Sequence, residues 1–82
     1  MLPESEQKKV VANVKKSYEL ILANFIEKEK HQTHQSLADR IKLVRQAITF
    51  IEAFEKSEIG YDTLMIECSA INETVARLRS AD

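Results

Sequence analysis

The chain has 82 residues, enough for one domain and too few for two. Its 12 Lys+Arg against 13 Asp+Glu leave a net charge of −1, and 44% hydrophobic with 30% charged residues is an ordinary globular balance. One Cys excludes an internal disulfide and a cysteine-rich zinc site, while one Gly and one Pro exclude phosphate-cradling loops and leave few places to turn.

A chain with so few turn residues is expected to be a few long helices. In the first segment Val11, Val14, Tyr18, Ile21 and Phe25 recur at spacings of 3, 4, 3 and 4, the pattern of one helix face. Val10, Leu22 and Ile26 widen that stripe to an arc of roughly 160°, and Leu20 lies alone on the opposite side. The predicted helix runs over about residues 4–29, opened by Pro3, Glu4 or Ser5. Apolar periodicity then stops over Glu29 to Gln35, with Thr33 and Ser36 as candidate caps of the next helix. This turn has neither Gly nor Pro, so one continuous helix through it is the competing expectation.

The second helix is expected over about residues 36–58. Leu37, Ile41, Val44, Ile48 and Ile51 form one stripe, and Leu43, Ala47, Phe50 and Phe54 form another. Together they cover roughly 180° of the circumference, so this helix must touch more than one neighbour. It is either the central helix of a bundle, or its Leu43/Phe50/Phe54 side meets another chain. Gly60 is expected to close the helix in the left-handed conformation, and Asp62 to cap the third. Leu64, Cys68, Ile71, Val75 and Leu78 then mark a narrow stripe over about residues 63–79, with Met65 and Ile66 off it and Arg77 and Arg79 in the last turn.

The fold class that follows is all-α: a single helical domain over 1–82, an up-down-up three-helix bundle made of a long hairpin and a shorter third helix, with dimerisation as a way to complete its core. Antiparallel pairing sets Lys8, Lys9, Lys15 and Lys16 beside Glu52, Glu55 and Glu58, and brings Glu27 and Glu29 towards Arg40 and Lys42. A third helix of roughly 26 Å cannot cover a first helix of roughly 39 Å. Apolar surface is therefore expected to remain at Leu43, Phe50, Phe54, Val10 and Ile26, the candidate partner-binding residues.

Chemistry is sparse. His31 and His34 stand three apart but have no third ligand beyond Glu27 and Glu29, so two solvated histidines are the simpler reading. Cys68 has no neighbouring His and sits on a core stripe, so burial is expected. No catalytic set, metal site or cofactor motif is found. The attachment triplet of acyl carrier proteins is absent, since Ser36 follows Gln35. The N-terminal residues carry no secretory signal pattern and no run is long enough to span a membrane, so a cytoplasmic location is expected.

The expected function is a non-enzymatic protein–protein interaction module, of the adaptor, assembly or secretion chaperone, or immunity and inhibitor type. It acts by burying an apolar helix face against itself, as a homodimer, or against a partner. The alternative is a small dimeric nucleic-acid-binding regulator that uses the Lys8, Lys9, Lys15 and Lys16 face. The near-zero net charge and the absence of interleaved aromatic residues disfavour it.

Overall fold

The computed structural model describes residues 2–32 and 34–80, with side chains through residue 79. It is a three-helix bundle: α1 (Glu4–Glu29), α2 (Gln35–Glu55) and α3 (Tyr61–Ser80), with no strand among the described residues. The two long helices are separate, not continuous.

The apolar stripes explain the packing. Val11 and Tyr18 of α1, Val44, Ala47 and Ile51 of α2, and Leu64, Cys68 and Ile71 of α3 form one buried cluster. Ala47, Ile51 and Leu64 have no exposed surface. Helix α2 is the centre of the bundle, packing along both α1 and α3, whereas α1 and α3 meet only sparsely. Its half-apolar circumference is thereby used within the chain. Truncating Ile51 to Ala would open a cavity at the meeting point of all three helices, at a cost of about 2–5 kcal/mol.

The helix ends follow backbone rules that side-chain patterns only partly anticipate. Pro3 precedes α1, and its carbonyl accepts the Gln7 N–H at 2.9 Å; Ser5 lies inside the helix. At the other end the His31 and Gln32 N–H groups both donate to the Lys28 carbonyl, at 3.0 and 2.9 Å. The chain then reverses with His34 in an extended conformation (φ −127°, ψ 141°) that serves as the α2 N-cap. No glycine is needed for this turn. Ser36 does not cap the helix but sits in its first turn, and Thr33 lies outside the described residues.

The second turn corrects two expectations. Helix α2 ends at Glu55, three residues earlier than its expected end, and the left-handed position is Ser57 (φ 62°), not Gly60. The Glu58 N–H donates to the Ala53 carbonyl at 2.8 Å and the Ser57 N–H to the Phe54 carbonyl at 2.9 Å, the paired bonds of a Schellman ending. These bonds hold Ser57 in a conformation that costs a residue with a Cβ about 1–2 kcal/mol. Gly60 has no positive φ; it directly precedes α3, and its carbonyl accepts the Leu64 N–H at 3.1 Å. Asp62 is therefore in the first turn, where its charge suits the helix dipole, and is not the cap.

The two positions make opposite use of glycine. Ser57→Gly should stabilise the fold by about 1 kcal/mol by relieving the left-handed strain. Gly60→Ser should also stabilise it, by about 0.5–1 kcal/mol, because a Cβ there meets nothing within 4 Å and a hydroxyl can cap α3. Urea denaturation checks both; a loss of stability in Gly60→Ser would show that glycine is required there after all.

Candidate functional site

Two grooves and one internal polar contact hold most of the chemistry. The contact is at the core. The Tyr18 hydroxyl donates to Asn72 Oδ1 at 2.7 Å, tying α1 to α3 where they otherwise meet sparsely. Burial pushes the Tyr18 hydroxyl up to about 12, with the neighbouring Cys68 adding to the effect and the Asn72 bond opposing it. Burial also raises the Cys68 thiol, which the Tyr18 hydrogen bond partly offsets. A buried thiol held above its ordinary range is a poor nucleophile. This pair serves packing.

The first groove runs along the outer seam of α2 and α3. Leu43 and Leu78 line it together with Asp39, Lys42, Gln46 and Thr74, around a volume of about 420 Å³. Leu43, Phe50 and Phe54 all pack partly buried against the core. Phe54 meets Tyr61 edge-on, with ring centroids 6.2 Å apart. On this side of α2, Phe54 thus meets α3 of its own chain, while Leu43, Phe50 and Phe54 each keep some exposed surface. Val10 and Ile26 are half-buried on opposite flanks of α1. The large apolar side chains with most exposure are Ile66 (67%) and Leu20 (66%), which sequence placed off their helix stripes.

The second groove lies at the α1–α2 turn. Lys28, Gln32, His34, Leu37, Arg40 and Arg79 line about 450 Å³. Arg40 is 7% exposed, with its guanidinium carbon 5.2 Å from the Phe25 ring centroid and its Nε donating to the Ser36 carbonyl at 3.3 Å. Cation–π contact and a carbonyl acceptor make burial of this charge tolerable. Periodicity could not have revealed this assembly, because its members come from α1, the turn, α2 and α3.

The expected charge register is met at one point. Lys15 Nζ lies 2.9 Å from Glu55 Oε1, and that bond raises the lysine. Lys8 and Lys9 pair within α1, with Glu4 at 3.6 Å and Glu6 at 3.7 Å. Glu27 turns to Lys30 and His31 at 3.4 and 3.5 Å, in place of the expected approach to Arg40 and Lys42. His31 and His34 are both exposed, and among the described residues no three His, Cys, Asp or Glu side chains gather into a metal-binding group.

The raised Tyr18 predicts an alkaline limit to stability. Its neutral form is favoured in the folded state, so the contribution is complete below about pH 10 and is lost as pH rises towards about 12. The loss amounts to about 2–3 kcal/mol. Tyr18→Phe should cost about 1 kcal/mol at neutral pH through the lost hydrogen bond and flatten this alkaline decline. Denaturant midpoints across pH 9–12 (roughly the tyrosine range) compare the two proteins; parallel curves would remove Tyr18 as the cause.

No helix is long and apolar enough to cross a membrane among the described residues. The chain matches no protein-family model, and no curated protein and no solved structure shows significant similarity to it.

Proposed function

We propose that the chain is a non-enzymatic helical interaction module that pairs with a second copy of itself along the α2–α3 seam. The observation that carries this reading is the groove over Leu43 and Leu78. It brings two leucines together with charged and polar side chains, a mix that suits a protein interface. Its lining includes an acid and a base, Asp39 and Lys42, three residues apart on α2. In a two-fold pairing each copy sets its Asp39 against the Lys42 of the other, so the patch is self-complementary.

Carboxylates beside Lys8, Lys9 and Lys15 weigh against a phosphate-backbone surface on α1.

Charge exchange tests the pairing without touching the core. Asp39→Lys alone places like charges together and should weaken self-association about tenfold or more. Adding Lys42→Asp restores opposite charges across a two-fold axis and should recover it. Sedimentation equilibrium reads the association, and far-ultraviolet circular dichroism confirms the helices in each variant. A wild-type chain that stays monomeric at every concentration refutes the pairing, and so does a double variant no better than the single one.

A further inference from the structure

A hollow of about 660 Å³ lies at the end of the bundle where α1 begins and α2 turns into α3. Its apolar walls are Leu2, Phe54, Ile59 and Tyr61. The Phe54 and Tyr61 rings meet at 64°, so they form a corner and not a flat wall. The Gln7 side chain donates to the Leu2 carbonyl at 2.9 Å and fixes the backbone of that residue at the edge. Ser57, the left-handed residue of the turn, lines the hollow as well. Backbone strain of this kind clusters at sites that hold ligands. The volume is that of a small-molecule site, about 300–1,000 Å³.

The charge in the lining is acidic, with Glu4, Glu55 and Glu58 against Lys8 alone. Two of these carboxylates are already answered, Glu4 by Lys8 at 3.6 Å and Glu55 by Lys15 at 2.9 Å. Glu58 is exposed, and among the described residues no cation pairs with it. Its backbone is nonetheless fixed, since its N–H donates to the Ala53 carbonyl at 2.8 Å. An adjoining hollow of about 410 Å³ shares Tyr61 and adds Asp62. The positive ends of the α1 and α3 dipoles also reach this end of the molecule, and Glu4, Glu6 and Asp62 in their first turns offset them. What remains for a ligand is the Glu58 carboxylate beside an aromatic corner.

We propose that this hollow binds an organic monocation, an ammonium group carried on an apolar body. The ammonium sits between the Glu58 carboxylate and the Phe54/Tyr61 corner, drawn by the charge of one and the ring quadrupoles of the other. The body packs against Leu2 and Ile59. An anion would face three carboxylates against one lysine, and an uncharged ligand would leave Glu58 unanswered. The hollow shares no residue with the Leu43/Leu78 seam, so the site holds whether or not the chain pairs with itself.

Amide-resolved NMR titrations at constant ionic strength test it with three probes: benzyltrimethylammonium, tetramethylammonium and benzyl alcohol. Benzyltrimethylammonium should give saturable shifts at Gln7, Glu58, Ile59 and Tyr61. Tetramethylammonium lacks the apolar body and should bind about tenfold more weakly, the loss of a buried ring. Benzyl alcohol lacks the charge and should bind about fivefold more weakly. Glu58→Gln should weaken benzyltrimethylammonium about threefold and Glu58→Lys about tenfold. Glu73→Gln, in the far half of α3, should leave it unchanged. Glu58 is exposed, so circular dichroism should show both of its variants as helical as the wild type. Shifts that fail to saturate, that appear equally at Asp39 and Glu73, or that keep their affinity in Glu58→Lys would overturn the site. Equal affinity for benzyl alcohol would overturn the choice of a cation, and equal affinity for tetramethylammonium would overturn the apolar walls.

Discussion

The bundle depends on α2 having two apolar faces. Leu37, Val44 and Ile51 lie along one stripe and Ala47 and its neighbours along the other, and the helix packs along both α1 and α3. The backbones of α1 and α3 approach each other less than either approaches α2, and side chains such as Tyr18 and Asn72 span the difference. Ala47 is the narrowest point of this arrangement. Its small side chain is fully buried where the helices converge, and a larger residue there would push one of them away. Everything on the surface follows from this geometry. The Leu43/Leu78 seam is the outer lip of one contact, and the Ile21/Val75 slot is the space between two helices that lean on a common third.

The heptad-like stripes made the helices and most of the core legible in the sequence. Tyr18, Val44, Ile51, Leu64, Cys68 and Ile71 are all buried where periodicity put them. Less legible was who covers a stripe. Periodicity says that Phe50 and Phe54 lie on one side of α2, and it is silent on what covers them; for Phe54 the structure supplies Tyr61 of α3. Turn chemistry misled for a related reason. Glycine is the residue that best tolerates a left-handed backbone, yet the hydrogen bonds from Ser57 and Glu58 fix where the reversal occurs, and a serine bears it. The cationic groove was beyond reach, since residues 28, 34, 40 and 79 form no pattern along the chain.

Charge follows the same division between local and distant order. Pairs three or four apart on α1, Glu4 with Lys8 and Glu6 with Lys9, are written directly into the helix repeat. The ion pair between α1 and α2, Lys15 with Glu55, forms only when the hairpin register is right. At the opposite end Glu27 pairs with Lys30 and His31, beside a groove lined by Lys28, Arg40 and Arg79.

The sparse meeting of α1 and α3 also bears on how the molecule comes apart. Helix α1 spans 26 residues and buries only Val11 and Tyr18, whereas the shorter α2 buries six. Release of α1 would break the Tyr18–Asn72 bond while leaving the contacts between α2 and α3 in place. A turn free of glycine and proline joins α1 to α2. Among the described residues, the helix that buries the fewest side chains for its length is thus also the one that hangs on the least signposted turn.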